Sequence, residues 1–328
     1  MSSRSATIQI LQAGRGIAAI AVVIHHASLA ARDFRGPFAG QRWLELGYLG
    51  VDFFFVLSGF IIYHSTVGRS KTARSYAAAR ARRIYIPYLP IGLAIALIYA
   101  FLPAIGGRDG SWSWLATLTL LPISSPALTV AWTLQHEVLF YFVFGVAWFC
   151  NRVGLTLAIW GIAIILNSAV FHLDAIPLAI VNLEFLMGVG VATFLHRRPP
   201  PLPFAAIPAL LWLAIGMSRE WSILVGASCA LLVWRMVGAE ATGRLAVPRW
   251  LIFLGAASYS IYLVHGPAIS IAGRLFAGSW ALVLVGALAA GMAAGIAYFL
   301  LVERPLLNAT GRFMPRSVRA PGISPAVN

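Results

Sequence analysis

The sequence predicts an all-α, polytopic integral membrane protein of about ten transmembrane helices, with both termini in the cytoplasm. The first observation is composition: 60% of the 328 residues are hydrophobic and only 10% are charged, whereas water-soluble chains carry roughly 25% charged residues. The second is that apolar residues form segments long enough to cross a bilayer core of about 30 Å as helices. The third is the one-sided placement of the positive charges.

Ten apolar segments follow one another with short polar connections. They lie near residues 8–31, 48–67, 84–102, 128–149, 153–172, 176–195, 203–217, 220–238, 250–272 and 279–302. Helices of about 20 residues with short loops use nearly the whole chain, so we expect one integral domain over residues 1–311. Residues 312–328, rich in Pro and Arg, are expected to form a basic, disordered cytoplasmic tail.

The basic residues set the orientation, because Lys and Arg beside transmembrane segments are retained in the cytoplasm. With the N-terminus inside, all but six of the 24 Lys and Arg residues fall on the cytoplasmic side. The formal net charge of +14 therefore reflects topology and attraction to anionic lipids, and no nucleic-acid partner is expected. Cys150 and Cys229 are far apart in sequence and offer no disulfide framework or metal spacing, so no metal is expected.

A few polar residues interrupt the apolar segments, where a charge costs roughly 2.5–3.5 kcal/mol on insertion scales. Such residues usually pair, line cavities or take part in chemistry. They are Arg15, His25, His26, Asp52, Glu137, Glu184, His265 and Glu303.

Arg15 and His26 share one face of the first segment. They are eleven residues apart, which corresponds to about three helical turns plus 20° and a rise of roughly 16 Å. His25 is rotated away from that face. The alternative interpretation is that Arg15 reaches lipid phosphate and that His26 only packs between helices.

Asp52 lies about as far from the outer end of the second segment as His26 does from that of the first. Consecutive antiparallel helices usually pack together, so the Asp52 carboxylate could fix the tautomer of the imidazole and raise its basicity. Alternatively, Asp52 caps the start of its helix. Glu137 and His265 fall in the same outer half of their segments, which predicts a shared polar cavity.

A basic stretch precedes the third segment. Arg80 and Arg83 in RARRIYIPY have the spacing of neighbours on one helical face. With Arg15 they could bind a phosphorylated ligand through bidentate contacts, although a solvated basic loop beside lipid headgroups is the simpler interpretation.

Taken in order, these segments resemble the acyltransferase-3 family of membrane O-acyltransferases, in particular the bacterial exopolysaccharide O-acetyltransferases of the succinoglycan type. The resemblance spans nearly the whole chain. It rests on Arg15 and His26 with ten residues between them and on five motifs: GVDFFFVLSGFII, Arg80 and Arg83 before IYIPY, AWTLQHEVLFYF, SYSIYLVHGP and VERPLL. The chain departs from its relatives in one extra residue between Arg83 and Pro87 and in WTLQHE, where many relatives have WSLxxE.

The resemblance implies that His26 is the catalytic histidine, that Arg15 is its partner in the first-helix motif, and that Arg80 and Arg83 form a cytoplasmic arginine pair. It also implies acetyl-CoA as the donor and, as the acceptor, a hydroxyl group of a carbohydrate that is either free or lipid-linked. The location it implies is the bacterial inner (plasma) membrane.

These expectations combine into one hypothesis. Arg15, Arg80 and Arg83 bind the nucleotide end of acetyl-CoA, and His26 acts as general base or as nucleophile. Asp52 or Glu137 orients the imidazole and balances its charge. Tyr259 and His265 are candidate substrate-binding residues.

The rival hypothesis is a small-molecule or lipid-linked-glycan transporter, since intramembrane His, Asp and Glu residues also form proton relays. Transporters often contain repeated halves, and no repeat is evident in this sequence. The oligomeric state is not predicted, because the spacing of Gly291 and Gly295 suits packing within one chain as well as between chains.

Overall fold

A computed structural model describes residues 9–69, 72–102, 112–218, 221–241, 246–276 and 278–312. Within these ranges the chain is helical and contains no β-strand, which confirms the predicted all-α class. The expected disordered tail and the termini lie outside the described residues, so their disorder and cytoplasmic location stay predictions.

The described ranges contain thirteen α-helices. They are α1 (Gln9–Arg35), α2 (Gln41–Glu45), α3 (Gly50–Thr66), α4 (Ala73–Phe101), α5 (Trp114–Thr119), α6 (Trp132–Phe149), α7 (Val153–Leu166), α8 (Asn182–Thr193), α9 (Leu202–Ala214), α10 (Ile223–Ala241), α11 (Arg249–Leu275), α12 (Trp280–Tyr298) and α13 (Arg304–Arg312).

Eight helical stretches of the described chain are long and apolar enough to cross a membrane. Two of the ten predicted segments, 176–195 and 203–217, instead contain the shorter helices α8 and α9, of 12 and 13 residues. The eight stretches are Gln9–Arg35, Gln41–Thr66, Ala73–Phe101, Thr129–Phe149, Val153–Phe171, Ile223–Ala241, Arg249–Leu275 and Trp280–Thr310.

The outer surface of the helices carries large apolar side chains. Leu301, Phe142 and Phe171 are 76%, 69% and 63% exposed. Water-soluble monomers rarely expose wide apolar surfaces, whereas lipid chains contact such surfaces without cost. The protein is therefore a multi-pass membrane protein.

Helices α1, α11 and α12 pack closely because glycines stand at their contacts. A Cβ atom on Gly255 of α11 would lie 1.9 Å from the backbone oxygen of Gln12 on α1, so only glycine allows this approach. On α12, Gly291 and Gly295 pack against His265 and Ile261 of α11. The spacing of these two glycines thus serves packing within the chain.

Candidate functional site

A cavity of about 280 Å³ lies inside the bundle, between α1, α3, α4, α6 and α11. Three arginines and one glutamate contribute its charged groups, and hydroxyl and aromatic side chains surround them. Its polar and aromatic lining consists of Arg15, Phe54, Phe55, Ser58, Arg80, Arg83, Thr133, Glu137, Tyr141, Ser258, Tyr259 and Tyr262. The structure therefore brings together the three arginines that the sequence singled out.

Arg15 reaches across from α1 to α11. Its Nε and Nη2 atoms donate to Ser258 Oγ at 3.2 and 3.1 Å. Ser258 in turn donates its hydroxyl proton to the Gly255 carbonyl oxygen at 2.8 Å, which leaves the lone pairs of Oγ for the guanidinium. These bonds use only one edge of the Arg15 guanidinium, so its remaining N–H groups are available at the cavity.

Arg83 lies over Tyr259, with its Cζ atom 5.1 Å from the ring centroid. Its Nη1 atom is 3.8 Å from Oε1 of Glu303. Glu303 is buried and also accepts from Ser260 Oγ at 2.5 Å. The buried carboxylate therefore positions Arg83 on the cavity wall, above the tyrosine ring.

Arg80 lies between two aromatic rings, 5.5 Å from the centroid of Tyr141 and 5.9 Å from that of Tyr76. Its Nη2 atom donates to Ser65 Oγ at 3.3 Å. Its Nε atom is buried and has no hydrogen-bond acceptor among the described residues. A buried donor without an acceptor is costly, which makes this nitrogen a ready contact for an anionic ligand.

Glu137 of α6 shares the cavity with the arginines. Its Oε1 atom accepts hydrogen bonds from Ser58 Oγ at 2.7 Å and from the Tyr141 hydroxyl at 2.5 Å. These two hydroxyl groups hold the Glu137 carboxyl group in place beside the arginines. The sequence predicted that Glu137 shares a polar cavity with the two histidines. In the structure Glu137 lines a cavity with the three arginines, and neither His26 nor His265 is among the residues that line it.

His26 of α1 contacts His265 of α11. Nδ1 of His26 lies 3.2 Å from Nε2 of His265, and the ring centroids are 4.7 Å apart. Nδ1 of His265 lies 3.1 Å from the Ile261 carbonyl oxygen, and Nδ1 of His26 lies 3.0 Å from the Val22 carbonyl oxygen. Both carbonyl groups belong to the preceding turn of their own helices.

These partners decide which ring nitrogens carry protons. A carbonyl oxygen only accepts, so His265 must hold its proton on Nδ1, and in the neutral ring its Nε2 atom is then an acceptor. His26 also faces two acceptors with its Nδ1 atom and must hold its proton there. The lone pair of neutral His26 is consequently on Nε2.

His25 has a different environment, although it neighbours His26 in sequence. Its Nδ1 atom lies 2.6 Å from the Glu45 carbonyl oxygen, at the connection between α2 and α3. This bond ties the C-terminal half of α1 to the connection, which is a structural role. The helical-face argument that chose His26 over His25 therefore agrees with the contacts of the two rings.

Asp52 lies on the face of α3 turned toward α8 and α10. The same face carries Val56 and Gly59, and the Gly59 backbone meets the Phe185 carbonyl group of α8. The Asp52 carboxyl is a neighbour of the Glu184 carboxyl. His265 is the partner that the structure gives to Nδ1 of His26, and the role of Asp52 in orienting His26 stays a prediction.

Tyr262 separates the cavity from the histidine pair. It lines the cavity, and its ring centroid is 5.8 Å from that of His265. Its hydroxyl lies 2.8 Å from Thr133 Oγ1 and 3.0 Å from the Val130 carbonyl oxygen. Tyr259 also lines the cavity and donates its hydroxyl to the Ile84 carbonyl oxygen at 3.2 Å.

Several residues of the site were not assigned a role from the sequence. Ser58, Tyr141 and Ser258 are hydroxyl residues within apolar segments, and such residues are common in membrane helices for packing alone. Glu303 did carry a signal, because it is a charge within an apolar segment. The described residues contain no group of three or more His, Cys, Asp or Glu side chains that could hold a metal ion.

Comparison with known proteins identifies the family of this chain. The acyltransferase domain of the acyltransferase-3 family matches residues 8–302. The chain is 34% identical over 297 residues to the exopolysaccharide production protein ExoZ of Rhizobium meliloti, covering 80% of this chain and 90% of that protein. It is 26% identical over 380 aligned positions to the acyltransferase MdmB of Streptomyces mycarofaciens, covering 96% and 95% of the two chains. No solved structure matches significantly. The chain belongs to the acyltransferase-3 family and is a membrane O-acyltransferase.

Proposed function

We propose that this protein transfers an acetyl or other short acyl group from cytoplasmic acyl-CoA to a hydroxyl group of an exopolysaccharide or other envelope sugar. The reaction would take place at the bacterial inner membrane. The observation that carries the proposal is the convergence of Arg15, Arg80 and Arg83 on one cavity within a chain of the acyltransferase-3 family. Family membership also favours an enzyme over the transporter hypothesis.

The donor is assigned from charge and size. Three guanidinium groups against one carboxylate favour a polyanion, and guanidinium groups suit phosphate oxygens because they donate in parallel pairs. A cavity of about 280 Å³ is at the small end of ligand sites, which run from about 300 to 1,000 Å³. It suits the diphosphate group of acetyl-CoA and the adjoining part of the pantetheine arm, with the adenosine end extending toward the cytoplasm.

The acceptor is assigned from the relatives. ExoZ is named for exopolysaccharide production, which supports a carbohydrate acceptor, either free or on a lipid carrier. MdmB is named only as an acyltransferase. An acceptor presented within the membrane could reach the histidine pair from the side of the bundle opposite the arginine cavity.

The proposed chemistry uses Nε2 of His26. As general base, this atom takes the proton of the sugar hydroxyl while the hydroxyl oxygen attacks the thioester carbonyl carbon. The C–S bond then breaks, and the imidazolium returns the proton to the CoA sulfur. As nucleophile, the same atom first forms an acyl-imidazolium and expels CoA as the thiolate. The sugar hydroxyl then attacks the acyl carbon, the bond to Nε2 breaks, and the hydroxyl proton passes to the thiolate.

The neighbouring groups have distinct proposed roles. His265 is a positioning residue, since its Nε2 atom accepts from Nδ1 of His26 and so aims Nε2 of His26. The ring of Tyr262 lies between this pair and the cavity, so the thioester passes it to reach His26. Glu137 balances the arginines rather than the imidazolium. The ring of Tyr259 packs against the Arg83 guanidinium group and helps to hold it at the cavity.

The test is transfer of radiolabelled acetate from acetyl-CoA to envelope glycan in membranes containing the wild type, His26→Ala or His25→Ala. The His25 variant is a matched control, because it removes a neighbouring imidazole that bonds a backbone carbonyl. We expect loss of glycan label with His26→Ala and retention with His25→Ala, at equal amounts of inserted protein. Full labelling by the His26→Ala protein would rule out the proposed chemistry.

A further inference from the structure

A second polar cluster lies on the opposite side of α3 from the arginine cavity. Asp52 of α3 is 5% exposed and Glu184 of α8 is fully buried. The two carboxyl groups are neighbours, and Cys229 of α10 lies close to both. These are the titratable groups that face one another where α3, α8 and α10 meet. The proposed acyl transfer uses none of them.

The Glu184 carboxyl group has an unusual environment for a buried polar group. Both of its oxygen atoms are buried and have no hydrogen-bond donor among the described residues. Buried polar atoms are nearly always satisfied, and an isolated ionised carboxylate in an apolar interior is strongly unfavourable. The Asp52 side chain beside it adds a second carboxyl group instead of a positive charge.

Two ionised carboxylates cannot satisfy each other, because both only accept hydrogen bonds. One proton changes this. The acid form of one group donates an O–H to the other, and the pair then carries a single negative charge. Paired carboxyl groups that share one proton are a known solution to this conflict.

The packing leaves little room for a cation in place of the proton. A Cβ atom on Gly226 of α10 would lie 2.7 Å from Cγ and 3.3 Å from Oε1 of Glu184, so the α10 backbone presses on the carboxyl. Magnesium and calcium ions require six or more oxygen ligands at about 2–2.6 Å. Two carboxyl groups against a helix backbone do not supply that shell.

We propose that Asp52 and Glu184 form a proton-binding site of the folded protein, in which one carboxyl group is held as the neutral acid and donates to the other. The site links α3 to α8 at the junction with α10. It is independent of the proposed acyl transfer, and its test does not depend on that activity.

The test uses dicyclohexylcarbodiimide, an apolar reagent that reacts with protonated carboxyl groups inside membranes. The O–H of the acid adds across one C=N bond of the reagent to give an O-acylisourea, which rearranges to a stable N-acylurea. The full chain, in detergent at neutral pH, is labelled and the adduct is located by peptide mass spectrometry. We expect an adduct at Glu184 or Asp52.

Glu45 is the matched control residue, because it is a carboxylate paired with Arg32 at 3.2 Å and should remain unlabelled. Glu184→Gln should remove the labelling at both positions, since the amide supplies the missing donor and needs no proton. Absence of an adduct at both carboxyls of the folded wild type would overturn the proposal. Protection of the site by sodium or potassium ions would also overturn it, in favour of a cation site.

Discussion

Nδ1 of His26 lies 3.2 Å from Nε2 of His265, which couples α1 to α11 at the level of the proposed chemistry. Closer to the N-terminal ends of both helices, Arg15 of α1 bonds Ser258 of α11. The two contacts follow the same order on both helices, so α1 and α11 run parallel. The face shared by Arg15 and His26 on α1 is therefore turned toward α11.

Removing His265 should impair His26 without weakening donor binding. In His265→Ala, Nδ1–H of His26 loses an acceptor that fixes its tautomer and ring orientation. We expect kcat to fall about 100-fold, since general-base catalysis contributes roughly 10²–10⁴-fold, with the KM for acetyl-CoA unchanged. Steady-state kinetics in membranes measures both constants.

His265→Gln provides the matched variant, because its side-chain oxygen can accept from His26. It should recover part of the lost kcat. Equal kcat values for the Ala and Gln variants, or a rise in KM as the main effect, would contradict a positioning role.

Arg83 should act on the phosphorylated end of the donor alone. We expect Arg83→Ala to lower kcat/KM for acetyl-CoA about 10- to 100-fold, which corresponds to the roughly 1.5–3 kcal/mol of a hydrogen bond to a charged group. The same variant should use acetyl-pantetheine, which lacks the nucleotide, as well as the wild type does. Arg82→Ala is the control, because Arg82 bonds the Leu307 carbonyl oxygen. An equal loss with both donors would place Arg83 elsewhere in the mechanism.

Much of this site followed from helical periodicity. Polar residues are rare in apolar segments, so each one could be picked out as a candidate. The spacing of Arg15 and His26 then placed both on one face of α1. Arg80 and Arg83 were grouped in the same way. Periodicity describes one helix at a time, however, so it gave the correct face for His26 but not its partner on α11, more than 230 residues away.

The close contact of α1 with α11 depends on Gly255. In Gly255→Ala the new methyl group would meet the Gln12 backbone oxygen, which cannot rotate away as a side chain can. We expect the free energy of unfolding to fall by about 1–3 kcal/mol, as for other overpacked contacts. We also expect activity to be lost. Thermal unfolding in detergent measures the first effect.

Gly190→Ala is the control for that substitution. Gly190 is within α8, and a Cβ atom there would meet nothing within 4 Å. Alanine favours a helix over glycine by about 1 kcal/mol, so this variant should unfold at the same or a higher temperature. If the two variants behaved alike, the α1–α11 contact would not be the reason for the loss.

Asp52 illustrates what the sequence could not reveal. The sequence predicted that Asp52 and His26 lie at the same depth in the membrane, and consecutive helices usually pack together. The close approach of Gly59 and Gly188 instead brings α8 against the Asp52 face of α3. Which neighbour a helical face meets depends on packing among distant helices, and neither residue depth nor chain order determines it.

The proton held by Asp52 and Glu184 should make stability depend on pH. Carboxyl groups of the unfolded chain are ionised at neutral pH, so the folded protein binds one proton more than the unfolded one. The free energy of unfolding then falls by about 1.4 kcal/mol for each pH unit gained, until the pair itself ionises. In Glu184→Gln no proton is needed, so this part of the pH dependence should vanish. Unfolding temperatures of both proteins between pH 6 and 8.5 give the difference in slope.

The control variant is Glu240→Gln. It removes a carboxylate that accepts from the Gln9 and Ile10 backbone N–H groups, and it should keep the wild-type slope. Identical slopes in wild type and Glu184→Gln would show that the folded pair holds no extra proton.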